Sequence, residues 1–484
     1  MRPGEEQLRE HLEQPRGRGH LPDGGFAGAA GGAACGDLVR VTVALDADDP
    51  RGTVAEAGFD ASGCGAAVAA GSATVALVSG RGLLDAAKLG WREIADELGG
   101  LIPSKLHAAQ LAADALHRAL GAAARHASLA AVEDRTLVAM SGGVDSAVAA
   151  LLVAERGEAL ACTLELWSDP ENDGESSCCS AQAVRGAREL AHRLGMPHFS
   201  IDLREEFRAG VVDGWLAGHA AGLTPNPCIR CNGSVRLDAM LELAGRLGAN
   251  ALATGHYARI ERGGRTALLR TATDQAKDQS YVLSGLSPES LARLRFPLGE
   301  MHKPEVRELA AGAGLEVAGR RDSQDLCFLA GTGREAFLER HGGLRRRPGA
   351  IRTRDGRVLG EHAGAHLYTV GQRHGLGVAT GKPLYVLGTD ARTNVVTVGD
   401  REELRADRIA VGELVLHRPA GEVDAVRVRA HGRRIDCRLA EPLGAGRHAA
   451  ADVELLSDAE RTAPGQLACL YSGELVVGYG TIAR

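Results

Sequence analysis

A chain of 484 residues, 44% of them hydrophobic, carries enough apolar material for three or four cores, yet no uninterrupted apolar run approaches the ~18 residues of a bilayer crossing. The first 15 residues are charged throughout and offer no secretory leader, so the expectation is a cytoplasmic protein with no membrane partner. In that compartment the ten cysteines read as catalytic, redox-active or metal-binding, and a net charge of −6 makes no global case for nucleic acid.

After a short amphipathic start at residues 5–12, the Gly-, Arg-, Pro- and Ala-rich segment up to residue 33 reads as loop. Residues 38–45 alternate as a half-buried strand, and residues 83–98 and 108–120 repeat apolar side chains at helical spacing, so a small α+β unit comes first. Residues 136–140 predict a short buried strand that runs into a glycine turn and a helix over 145–155. Strands at 159–167, 198–203 and 251–254 then alternate with helices at 181–194 and 235–247, the order of a doubly wound, mostly parallel sheet. Past residue 337 short strands with glycine turns take over, among them 395–398, 426–430 and 475–482.

The glycine turn is Met140, Ser141, Gly142, Gly143, Val144, Asp145 and Ser146. Two glycines let the backbone approach closely, so consecutive N–H groups and the positive helix end can cradle a pyrophosphate, with Ser141 and Ser146 adding hydroxyls. No lysine follows as in a Walker loop, and the decoy at Gly381-Lys382 fails because Leu376 and Pro383 occupy the motif's Gly and Ser/Thr positions. Ser-Gly-Gly-x-Asp-Ser resembles the signature of PP-loop ATP pyrophosphatases, which implies transfer of AMP to an unreactive oxygen with ATP and Mg2+ as cofactors.

The segment Thr224-Pro225-Asn226-Pro227-Cys228-Ile229-Arg230-Cys231-Asn232 sets two thiols three apart before a helix, and Cys327 follows Asp322-Ser323-Gln324-Asp325-Leu326. A thiol near a helix start or a cation such as Arg230 is expected to be acidic and nucleophilic. Cys162, Cys437 and Cys469 read as small core hydrophobes, and Cys178-Cys179 as an exposed loop pair. From Arg320 to Arg357 ten arginines, Arg345 and Arg346 among them, face five acids, a candidate phosphate-contact surface.

Together with Ala253-Thr254-Gly255-His256-Tyr257, Lys277-Asp278-Gln279-Ser280-Tyr281, Tyr368-Thr369-Val370-Gly371-Gln372-Arg373 and Pro464-Gly465-Gln466-Leu467-Ala468-Cys469-Leu470-Tyr471, these motifs resemble the tRNA-specific 2-thiouridylases of the MnmA type over residues 133–484. The resemblance implies that residues 140–146, Leu164 and Gly255 bind ATP, and that His256, Lys277, Asp278, Gln279 and Gln466 touch a tRNA with a wobble uridine. It further implies that Cys327 bears a persulfide supplied by a cysteine desulfurase or relay protein, and that Cys231 is its partner nucleophile. Where many relatives carry Asp, this chain has Cys228, so Cys228, Cys231 and Cys327 could instead hold a [4Fe–4S] cluster.

Leu8 to Arg16, Ala34-Cys35-Gly36-Asp37, Gly63-Cys64-Gly65 and Lys105-Leu106-His107 resemble the IscU/SufU/NifU-N iron–sulfur scaffold family over residues 5–125, with Ala108 in place of the third cysteine. Cys35, Asp37, Cys64 and His107 remain as donors for Zn2+ or an iron–sulfur centre, or the domain docks a desulfurase. The expected architecture is multidomain α/β: a degenerate scaffold domain (1–128), a PP-loop domain (129–335), a β-rich central tRNA-binding domain (336–402) and a C-terminal β-barrel (403–484). Two other functions compete with this reading: a PP-loop amidotransferase-type ligase, and an iron–sulfur assembly or delivery protein.

Overall fold

The computed structural model describes residues 5–32, 36–168, 181–263, 266–319, 326–329, 331–378 and 380–483. Cys35, Cys178, Cys179, Arg320, Arg321 and residues 322–325 lie outside them.

The N-terminal unit is a three-stranded antiparallel sheet, Phe26–Gly31, Leu38–Leu45 and Val54–Ser62, covered by helices Gly65–Val78 and Leu106–Ala124. The segment before residue 33, expected as loop, contributes the first of these strands. Its Gly and Ala content reflects packing: a Cβ on Gly28 would stand 2.2 Å from the Ala115 carbonyl oxygen, so only a bare backbone fits beneath the long helix. The apolar stretch at 66–78 becomes a 14-residue helix buried along most of its length. The helical pattern at 83–98 breaks at Gly90, whose N–H is accepted by Glu93 at 2.8 Å, into Leu83–Ala86 and Trp91–Glu97.

The second unit is a parallel sheet in the order Leu294–Arg295, Ala249–Thr254, Val132–Ala139, Ala159–Glu165, His198–Asp202. Strand Ala159–Glu165 is buried at every position, as a central strand covered on both faces must be. All five strands run the same way, so the loops after Ala139, Glu165, Asp202 and Thr254 gather at one edge.

A four-stranded sheet of residues 349–399 follows, and then six strands that close into a barrel because Arg405–Leu416 pairs with both Gly446–Glu460 and Leu475–Ile482. The hairpin Arg259–Glu261 and Leu268–Arg270 of the second unit adds to the same sheet through Leu475.

The N-terminal unit shares one core with the parallel sheet. Helix Leu106–Ala124 lies along the edge strand His198–Asp202, with His117 Nδ1 2.8 Å from the His198 carbonyl oxygen and Arg125 Nη1 donating to the Asp202 carbonyl. Arg118 donates to both oxygens of Glu165 (2.9 and 2.8 Å), and Asp114 accepts from Arg185 and Arg188 (2.7 and 2.6 Å). His117 and His198 are fully enclosed, and burial first, then the neighbouring charges of Arg188 and the histidines, holds both well below the ordinary histidine range.

Candidate nucleotide and sulfur-transfer site

Strand Val132–Ala139 delivers Met140, whose N–H donates to the Cys162 carbonyl at 2.8 Å, and the chain then turns through Gly142 at φ +73°. Ser146 Oγ accepts from the Ser141 N–H at 3.2 Å and donates to the Gly143 carbonyl at 3.0 Å, closing the loop on itself. Helix Val144–Ala154 begins at Gly143 with no side-chain cap, so its first-turn amides open toward the loop. That is an anion cradle at a helix N-terminus. Leu164, nearly buried, stands near the end of the adjacent strand.

Gly255 is packed so closely on the helix start that a Cβ would stand 2.7 Å from the Asp145 carbonyl carbon and the Ser146 nitrogen. No other residue fits there without moving the loop. Beside it Tyr257 OH donates to Asp145 Oδ1 at 2.9 Å, and Lys303 Nζ donates to both Asp145 oxygens at 2.7 and 2.8 Å. His256 Nδ1 lies 2.8 Å from Thr254 Oγ1, and burial with the Arg236 charge pushes its pKa down to about 3, so the ring is neutral.

Asn226 caps the single helical turn Pro227–Arg230 by accepting the Cys228 N–H at 3.1 Å. A π-helical stretch, Cys231–Leu237, follows, kinked at Gly233, so Cys231 sits where the helix changes direction. The expected acidification of these thiols by Arg230 is corrected for Cys228: burial and the neighbouring Cys231 push its pKa up to about 11, and the cation that acts on it is Arg236. The cysteine segment is held from the C-terminal barrel, where the Pro464 carbonyl accepts the Thr224 N–H at 2.8 Å and Gln466 Nε2 donates to the Thr224 carbonyl.

Cys327, half-buried, opens a short 3₁₀ turn whose Phe328 packs among Trp215, Phe207, Phe337 and Trp167, with ring centroids 5.1 to 6.5 Å away. Trp167 and Phe207 follow the ends of strands Ala159–Glu165 and His198–Asp202, so the aromatic cluster seats Cys327 on the same edge as the phosphate loop.

Asp278 is buried and accepts from the Ala272 and Ser280 amides (3.0 and 3.2 Å), from Ser280 Oγ (2.8 Å) and from Arg427 Nη1 (2.7 Å). Its carboxylate is committed to shaping the loop that presents Lys277 and Gln279. Gln279 in turn accepts the Tyr257 N–H at 2.9 Å. Arg345 and Arg346 are exposed, Arg346 paired with Glu335 at 2.7 Å. A second arginine-lined cleft, with Arg401, Arg405, Arg429 and Arg433, opens on the barrel.

In the N-terminal unit Asp37 Oδ1 accepts the Cys64 N–H at 2.8 Å, while its Oδ2 lies 3.2 Å from Cys64 Sγ and 2.9 Å from His107 Nε2. Burial works against the charge of Asp37, yet the hydrogen bonds from Cys64 and His107 hold its pKa below the usual value. His107 Nδ1 faces the Ser104 carbonyl at 3.0 Å, which leaves Nε2 to point at the carboxylate. One ligand atom from each of these three residues lies within 4.8 Å of the others. The set suits a single tetrahedral cation with one more ligand. Ala108, wholly buried in its helix, adds none, and one described thiolate is little sulfur for a two-iron cluster.

Lys303, Arg236 and Arg427 are residues of these sites that the sequence motifs did not disclose.

The chain matches four families: NifU-like N terminal domain over residues 4–128, tRNA methyl transferase HUP domain over 134–331, tRNA methyl transferase PRC-barrel domain over 335–400, and aminomethyltransferase beta-barrel domain over 411–482. The bifunctional protein NifU/MnmA of Rubrobacter xylanophilus is 43% identical across 98% of this chain and 97% of its own. The tRNA-specific 2-thiouridylases MnmA of Thermobifida fusca and Corynebacterium efficiens are 45% and 43% identical over 72% of this chain, covering 96% and 98% of theirs. With similarity of that extent over both parts, the chain belongs to the MnmA family of tRNA-specific 2-thiouridylases, in the form that carries a NifU-like domain at its N-terminus.

Proposed function

We propose that this chain is a tRNA-uridine 2-sulfurtransferase that thiolates C2 of the wobble uridine at the expense of ATP, in the cytoplasm. The uridine O2 attacks the α-phosphorus, the bond from that phosphorus to the bridging oxygen breaks, and pyrophosphate leaves. The terminal sulfur of a Cys327 persulfide then attacks C2 and AMP departs. The Cys231 thiolate attacks the Cys327 sulfur, forming a disulfide between them and leaving the other sulfur on the base; an external reductant resets the pair. The observation that carries this reading is the uncapped helix start at Gly143 on the same sheet edge as the aromatic seat of Cys327.

Residues 140–146, Leu164 and Gly255 would hold ATP, and Asp145 and Ser146 offer the oxygen donors that suit Mg2+, which neutralises phosphate charge when bound. His256, Lys277, Gln279, Gln466, Arg345 and Arg346 would meet the RNA, Asp278 acting through its loop. A base reaches such a site only when splayed from its stack, as anticodon-loop bases are. The domain limits are those of the sequence, 1–128, 129–335, 336–402 and 403–484. A second reading, a [4Fe–4S] cluster on Cys228, Cys231 and Cys327, is favoured by the adjacency of Cys228 and Cys231 on one helical turn. The N-terminal donors would take Zn2+, and the domain would receive a cysteine desulfurase as sulfur donor.

The test is thiolation of unmodified tRNA by anaerobically purified protein with ATP, a desulfurase and cysteine, alongside iron and zinc analysis. Formation of 2-thiouridine by iron-free protein, abolished in Cys327→Ser, is the expected result. Activity that tracks about four irons per chain and needs Cys228 replaces it with the cluster reading, and no thiolation in either state overturns both.

A further inference from the structure

The phosphate loop contains no cation of its own: between Met140 and Ser146 the one charged side chain is Asp145, an anion in the mouth of an anion cradle. A bare carboxylate there would repel a polyphosphate. The fold answers this from far along the chain. Lys303, the first residue of helix Lys303–Gly312, reaches the loop from 158 positions away and donates to both oxygens of Asp145 at 2.7 and 2.8 Å. Its side chain is one-tenth exposed, whereas that of Asp145 is about one-third exposed at 31%. The lysine is anchored on both sides: its N–H donates to Asp274 Oδ2 at 3.0 Å, and its ammonium stands 5.8 Å from the Tyr257 ring centroid, while Tyr257 OH holds the same Asp145 oxygen.

We propose that Lys303 is the pyrophosphate-gripping residue of this site, supplying from a separate helix the positive charge that a Walker loop carries in its own sequence. The proposal rests on the adenylation reading above and deepens it. In the nucleotide-free protein Lys303 neutralises Asp145 and keeps the cradle's field positive. As the uridine O2 bonds to the α-phosphorus and the bridging oxygen takes the electron pair, charge accumulates on the departing pyrophosphate. An ammonium preset beside the loop stabilises that charge without reorganising. A lysine suits the task as a compact point charge whose three donors can be shared between carboxylate and phosphate, because they need no planar partner.

A purely architectural role, pinning helix Lys303–Gly312 to the loop, makes a different prediction, and pyrophosphate itself separates the two. Inorganic pyrophosphate is titrated calorimetrically into the full-length wild type, Lys303→Met and Lys303→Arg, with thermal melts of each, and AMP formation is followed with unmodified tRNA. The expected result is pyrophosphate affinity at least ~10-fold weaker and AMP formation ~100- to 1,000-fold slower in Lys303→Met, the loss typical of one preorganised donor. Melting temperatures should stay within a few degrees, and Lys303→Arg should recover part of the binding. Equal pyrophosphate affinity in wild type and Lys303→Met overturns the proposal, as does a loss confined to unfolded protein. Wild type that binds pyrophosphate through Lys303 yet forms no AMP with tRNA supports the phosphate role and overturns the adenylation reading instead.

Discussion

Cys228 is held between opposing influences. Its place in the first turn of a short helix favours the thiolate, but burial together with Cys231 raises the thiol to about 11. Sign and window follow directly: with the pKa above its ordinary value of 9.0, the protonated thiol persists through neutral pH and the thiolate appears only as pH rises through about 11. In metal-free protein, iodoacetamide at pH 7.5 is therefore expected to leave Cys228 almost unmodified by peptide mass analysis, and Cys228→Ser should cost less than ~10-fold in thiolation when sulfur travels by persulfide, since a protonated thiol is a poor nucleophile. Rapid Cys228 alkylation at neutral pH would contradict the burial argument. The same logic explains which site residues local sequence could disclose. Gly142, Gly143 and Ser146 announce themselves because a glycine turn into a helix is a short-range pattern. Lys303, 158 positions from Asp145, and Arg427, 149 positions from Asp278, cannot; a single Lys or Arg in a helix or strand looks like solvated surface until the fold brings its partner.

Among the elements, helix Leu106–Ala124 does most to define the molecule, because it serves two sheets. One face covers the N-terminal strands and the other lies on His198–Asp202, which would otherwise be an open edge of the parallel sheet. Gly121 makes the second contact: a Cβ there would stand 1.9 Å from the Ser200 carbonyl oxygen, so helix and strand touch backbone to backbone. Gly121→Leu should force them apart at a cost of ~1–3 kcal/mol or more, the range for overpacking a tight contact. Limited proteolysis is expected to cut the variant between the two units while the wild type survives; equal resistance of both would show that the interface yields without opening. The regular elements were legible where one face is buried and the other wet. Residues 38–45 alternate and became a strand with those limits, and the short strand read at 475–482 kept its limits too. Strand Phe26–Gly31 was not legible, since FAGAAG has no alternation of size or polarity and Gly28 serves the helix above rather than the sheet. The single helical pattern at 83–98 split for a related reason: Gly90 falls inside the apolar periodicity, but the fold uses it as a cap.

At the scale of the whole molecule, the shared core fixes where the two chemistries lie. His117, Gly121 and Arg125 meet His198, Ser200 and Asp202 in turn, so the helix runs in the same direction as the strands. His107 lies ten residues before His117, or ~15 Å back along the helix, and the strand itself adds ~13 Å before the edge where the phosphate loop and Cys327 gather. The Asp37, Cys64 and His107 cluster thus stands beyond the opposite end of the sheet, roughly 30 Å away along the strand direction. Three ionic contacts, Arg118 with Glu165 and Asp114 with Arg185 and Arg188, oppose any swing that would close the gap. Covalent fusion therefore does not bring the two sites of one chain together; on the persulfide route proposed above, sulfur passing through the N-terminal unit would have to reach Cys327 of another chain or travel on a carrier. Mixing Cys64→Ser with Cys327→Ser protein tests this. With a desulfurase and cysteine held constant, the mixture is expected to thiolate tRNA beyond the background of either variant alone. No gain in the mixture would mean that sulfur crosses within one chain, and the rigid contact between helix and strand would have to open to let it.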